Sequence, residues 1–139
     1  PPAGDEHPLM TANLANSRQM ENLTSGVELT VVGWGVGASR CSAQRLTKSM
    51  VAMQTLDSCQ MAPQNPHPAM LCAGAIGKHG CCVESGSPLV LEDEEDSGVG
   101  FRRDTVVGIL SMQGSSPMSP DLYFEISAVR EWVEDTHFR

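Results

Sequence analysis

The chain has 139 residues, a net charge of −8, 40% hydrophobic residues and five cysteines. At this length one domain is expected, since a domain near this size hides roughly 68–70% of the surface its unfolded chain exposes. So acidic a balance argues against nucleic acid or an anionic membrane as partner, because either needs a basic face, and no apolar run approaches the roughly 20 residues of a membrane span.

Pro1 to Gly26 is polar, opens on prolines and has no clear periodicity, so an extended surface segment or linker over 1–26 is expected. Within it, Asn22-Leu23-Thr24 is an N-glycosylation sequon. Glu28 to Trp34 is rich in β-formers, and Gly33, Gly35 and Gly37 break it into a loop that holds Arg40 and Cys41. From Arg45 to Leu56 the spacing of Leu46, Met50 and Met53 fits a helix, while Val51, Met53 and Thr55 fit a strand; periodicity leaves both open. Cys59 and Cys72 bracket a loop whose prolines, Pro63, Pro66 and Pro68, exclude regular structure. Leu71 to Gly74 reads as a strand. So do Pro88 to Leu91 and Thr105 to Ser111, on either side of the acidic run Glu92-Asp93-Glu94-Glu95-Asp96. That run reads as a solvated hairpin tip, and its spacing matches no EF-hand loop. Ser127 is the expected cap of a final helix with Val129, Trp132, Val133 and Thr136 on one face, packed back on the rest of the domain.

The stretch Cys81-Cys82-Val83-Glu84-Ser85-Gly86-Ser87-Pro88-Leu89-Val90-Leu91 carries the most chemistry. A serine between a carboxylate and a glycine, followed by a small residue, a proline and an apolar run, is a tight turn entering a buried strand. Such a turn exposes Ser85. A serine hydroxyl attacks a carbonyl only when a base takes its proton and donors hold the oxyanion; without those partners the same residues are a plain strand entrance.

Thr30-Val31-Val32-Gly33-Trp34-Gly35, Met70-Leu71-Cys72-Ala73-Gly74, the serine turn, Val107-Gly108-Ile109-Leu110-Ser111, Pro120-Asp121-Leu122-Tyr123 and Trp132-Val133 stand in this order. In sequence and spacing they resemble the trypsin/chymotrypsin-like serine proteases, over most of the chain. The resemblance implies an all-β fold: the second six-stranded antiparallel β-barrel of the chymotrypsin-like fold over residues 27–139, with a C-terminal helix. It favours a strand over Arg45 to Leu56, followed by a turn or short helix. It also implies that the family's histidine, aspartate and Ile-Val-Gly-Gly amino terminus come from another half of the domain, to which 1–26 would connect. An N-terminal half or chain of the same protease domain is therefore an expected partner, with a protein substrate or ligand as the other.

By the same resemblance Ser85 is the nucleophile, and the amides of Val83 and Ser85 form the oxyanion hole. Glu84 stands at the carboxylate that receives a buried amino terminus on activation. Ser111, Met112 and Gln113 border the substrate cleft, with Ser111 also matching the serine that orients the catalytic aspartate. His79, Cys82 and Asp121 fall at the specificity pocket, His79 at its base and Asp121 on its rear wall. Cys59 and Cys72 match a family disulfide. A loop of this length would make that bond worth roughly 3 kcal/mol. With Cys41, Cys59, Cys72, Cys81 and Cys82 the count is odd, so at least one thiol is free or joined to another chain; Cys41 is a candidate partner for Cys81 or Cys82. The cysteines and the Asn22 sequon together imply secretion. No cofactor or metal is expected, since no Cys/His spacing matches a structural zinc site. His7, His67 and His137 read as surface residues.

Several positions depart from the family pattern. Val83 replaces a glycine, and a β-branched residue is strained wherever the backbone must turn its N–H to the oxyanion. Glu84 is a methylene longer than the usual aspartate. Gln113 and Asp121 replace two glycines that leave the pocket open, and the cysteine that would pair with Cys81 is missing after Ser111. His79 and Asp121 could fill the pocket as a pair; alternatively Asp121 faces the pocket and selects Lys or Arg. Two function classes follow. One is a non-catalytic serine protease homologue that acts by binding another protein, which the departures favour. The other is an active serine endopeptidase once assembled with the half that supplies histidine and aspartate, which the intact Ser85 favours. Neither lets this chain hydrolyse peptides alone, since none of its histidines matches the family's base.

Overall fold

The structure, a computed structural model, describes residues 11–34, 46–59, 67–75, 84–93, 103–114 and 119–137. Its strands are β1 (Asn13–Leu14), β2 (Glu28–Gly33), β3 (Thr47–Gln54), β4 (Met70–Ala75), β5 (Pro88–Leu91), β6 (Thr105–Met112) and β7 (Asp121–Glu125). Strands β6, β5, β2, β3, β4 and β7 pair antiparallel in that order, and β7 returns to β6 to close the ring. This is the six-stranded antiparallel barrel that the sequence implies. A β-rich, alternating sequence supplies the filling: Leu29, Val31, Val51, Met53, Ala73, Leu89, Val107 and Tyr123 are buried in one cluster from six different strands. Alternation places these side chains inward, and their neighbours face out.

The ambiguous stretch before Leu56 is a strand, β3, in register with β2 from Glu28↔Ala52 to Gly33↔Thr47. A single 3-10 turn, Leu56–Ser58, follows it and delivers Cys59. Cys59 and Cys72 form a disulfide with Cα atoms 5.9 Å apart, buried against Leu122 in a second cluster with Leu56 and Met70 at its margin. The bridge therefore lies on the opposite face of β4 and β7 from Ala73 and Tyr123.

The extended-segment reading of residues 1–26 is corrected in its described part. Asn13–Leu14 add to β6 as a parallel strand at Thr105 and Val106, where β7, whose pairing begins at Gly108, has not yet reached β6. Ala15 is fully buried. A short helix, α1 (Ser17–Glu21), then starts on a capping box: Asn16 Oδ1 accepts from the Gln19 amide and Gln19 Oε1 accepts from the Asn16 amide, both at 2.9 Å. Two otherwise unsatisfied N–H groups at the helix start are thereby paired.

The C-terminal helix is present but begins later than expected. Ile126–Val129 form a 3-10 turn, and α2 runs Arg130–His137. Ser127 does not cap it; its hydroxyl donates to Glu125. Nor does the helix bury the expected face, because Trp132 is 68% exposed and Thr136 is exposed. Ile126 and Val129, in the turn before α2, make the contact with the core instead.

Candidate functional site

Glu84 to Ser87 form a β-turn closed by the Ser87 amide donating to the Glu84 carbonyl at 2.9 Å. Its third residue, Gly86, has φ +95°, a conformation that suits glycine and strains a residue with a Cβ. The turn is stitched to the end of β6 on both sides: Gly86 N–H donates to the Leu110 carbonyl and Leu110 N–H to the Ser87 carbonyl, each at 2.8 Å. Ser87 is buried and its hydroxyl accepts the Glu84 amide at 3.1 Å. So held, the turn projects Ser85 into solvent.

The Ser85 hydroxyl reaches the Ser111 carbonyl at 3.4 Å, longer than the 2.5–3.0 Å of a firm O–H···O bond. No carbonyl among the described residues accepts from the Ser85 amide. Beside the serine, Ser111, Met112 and Gln113 are all exposed. The fold thus brings Ser85 and these three expected cleft residues to one end of the barrel.

Asp121 begins β7 and is half-buried. Its carboxylate accepts the Gly114 amide at 2.7 Å, which ties the segment leaving β6 to the segment entering β7. Gly114 permits that approach: a Cβ there would stand 2.6 Å from the Ser119 Cβ and 2.7 Å from the Pro120 carbonyl oxygen. Burial raises the Asp121 pKa above its ordinary 3.8, and the Gly114 bond offsets part of the rise. Tyr123, two residues on, is fully buried, and its hydroxyl has no hydrogen-bond partner among the described residues. Burial pushes its ionisation up, and the nearby Asp121 charge adds to this. Tyr123 was not among the expected site residues. Its signal was the tyrosine itself on an inward β7 position, since a buried tyrosine ordinarily finds a partner for its O–H.

The raised Asp121 pKa fixes the sign of a pH effect. The folded state holds this proton more tightly than the unfolded chain, so between 3.8 and the raised value folding binds protons and stability falls as pH rises. Asp121→Asn keeps an acceptor for Gly114 and removes the charge. Thermal melting as a function of pH should show the variant more stable than the parent at pH 7, with the difference fading as acid protonates the parent; superimposable curves would contradict this origin.

Val83, His79 and Cys82 lie outside the described residues, as do Cys41 and Cys81. Glu84 is described, half-buried at the start of the turn. Asn22 is the C-cap of α1, and Cys59 and Cys72 are joined as above.

Comparison with known proteins agrees with this geometry. The trypsin family model matches residues 7–133. The chain is 31% identical to U21-ctenitoxin-Pn1a of Phoneutria nigriventer, covering 77% of this chain and 46% of that protein. It is 30% identical to trypsin of Phaedon cochleariae, covering 83% of this chain and 43% of that protein. Trypsin alpha of Drosophila melanogaster is 28% identical, with 83% and 44% covered. The chain spans less than half the length of these curated relatives.

Proposed function

The chain belongs to the trypsin family, and from that premise we propose that it is the C-terminal barrel half, residues 27–139, of a secreted serine protease homologue. Residues 1–26 connect it to an N-terminal half. It carries the serine nucleophile but is catalytically impaired, and acts by binding another protein. The observation that carries this reading is the Asp121 carboxylate held on the Gly114 amide at 2.7 Å, a bond that draws together two walls of the expected specificity pocket where the family leaves space. Val83 at the oxyanion position works in the same direction, since one poorly aimed donor costs about 2.7–4 kcal/mol of transition-state stabilisation. A buried disulfide is the support for secretion.

The exposed Ser85, with a loosely held hydroxyl and an amide that no carbonyl among the described residues engages, favours a second reading. In it, the N-terminal half supplies histidine and aspartate, Ser85 attacks a peptide carbonyl, and water hydrolyses the acyl-enzyme. A fluorophosphonate probe separates the two in the assembled protein. In the first reading the parent labels slowly, Val83→Gly speeds labelling on the order of 10²-fold, and Ser85→Ala abolishes it. Rapid labelling of the parent, rising with pH as a base deprotonates, would establish the second.

A further inference from the structure

We propose that Asn22 is an N-glycosylation site. The chain has four asparagines, Asn13, Asn16, Asn22 and Asn65, and Asn22 alone precedes a non-proline residue and then Ser or Thr. The structure divides the labour within this tripeptide. Asn22 and Thr24, whose side chains a glycosyltransferase must read, are both exposed, while Leu23 between them is half-buried and packed on the core. Asn22 ends α1 with its backbone N–H given to the Gln19 carbonyl at 3.3 Å. Its side-chain amide makes no hydrogen bond among the described residues, whereas Asn16, at the other end of the same helix, spends its side chain on the cap. The segment beyond is fixed by the Val27 amide donating to the Thr24 carbonyl at 3.2 Å and the Gly26 amide to the Met53 carbonyl at 2.8 Å. A sugar on Asn22 therefore projects into water from a surface that needs no rearrangement to carry it.

In the transfer, the Asn22 amide nitrogen forms a bond to the anomeric carbon of a lipid-pyrophosphate-linked oligosaccharide. The bond from that carbon to the pyrophosphate oxygen breaks, the lipid pyrophosphate leaves, and the amide proton goes to a base of the transferase. The segment leading to α1 pairs with Thr105 and Val106 at the start of β6, and Ser85 contacts Ser111 near its end.

The inference rests on the secretory part of the proposed function and is independent of the chemistry at Ser85. Trypsin digestion of the native full-length protein yields peptide 19–40, in which Asn22 is the single asparagine. After peptide-N-glycosidase treatment in heavy-oxygen water, that peptide should appear with labelled aspartate at 22 and be scarce before treatment. Recovery of the peptide with unmodified Asn22 would overturn the proposal. Full-length protein sent through a eukaryotic secretory pathway by a foreign leader identifies the cause. Asn22→Gln and Thr24→Ala must lose the mass of one glycan there, and Thr24→Ser must keep it. Modification under forced export with none on the native protein would place the failure in the secretory reading. An unmodified chain under forced export would place it in the site. Fluorophosphonate labelling should be the same with and without the sugar.

Discussion

Replacing Cys59 and Cys72 together by alanine is expected to lower the unfolding free energy by about 3 kcal/mol, the loop-closure value for a bridge spanning 13 positions. Alanine rather than serine is the right probe, because both sulfurs are buried, at 4% and 1% exposure, and a hydroxyl left there would add its own desolvation cost. The bridge also bears on the site. The Cys59 sulfur lies 3.3 Å from the Asp121 carbonyl oxygen; a disulfide sulfur has no proton to donate, so this is packing and not a hydrogen bond. The strand that presents Asp121 is thus braced from outside the barrel. Urea denaturation of the assembled protein should show a lower midpoint and a steeper dependence on denaturant, since the open chain exposes more surface on unfolding. An unchanged midpoint would mean that the loop is held by other contacts.

Leu89→Ala should cost a further class of stability, about 2–5 kcal/mol, as burial is lost and a cavity remains. Leu89 is fully buried, faces Val31 on one side and Gly108 on the other, and sits in a strand of four residues. It follows Ser85 by only four positions, so β5 is what anchors the serine turn to the barrel. The control is Leu91→Ala, at a half-buried position in the same strand, which should cost distinctly less. Equal losses at the two positions would deny Leu89 its central place in the core.

The barrel was legible through the ordered family motifs, from Gly33-Trp34-Gly35 to Trp132-Val133, rather than through alternation, which is only partial: β2 buries Leu29, Thr30 and Val31 in succession. Ser85 was legible from its own turn: Ser-Gly before Ser-Pro allows little but an exposed bend. The strand β3 was not decidable from spacing, since Met50, Val51 and Met53 satisfy either period, and pairing with β2 on one side and β4 on the other decides it. α1 was missed although Asn16 and Gln19 stand at capping-box spacing; a five-residue helix has too few apolar positions to show a period. The late start of α2 and the exposed Trp132 were misread because an apolar stripe does not itself say that a surface waits to receive it. At the site, the Asp121–Gly114 bond was hidden, since it joins two positions seven apart whose meeting depends on how tightly Gly114 approaches Ser119 and Pro120.

Because β7 returns to β6, the described barrel strands form a hoop whose one margin, at the start of β6, is already taken by Asn13–Leu14. A neighbouring molecule cannot lengthen such a hoop by laying its own backbone alongside, the route by which open sheets stack into fibrils. Side-chain variation is accommodated most easily at its turns and rims, where exposed residues such as Met112 and Gln113 can change without a single rung of the ladder being rewritten.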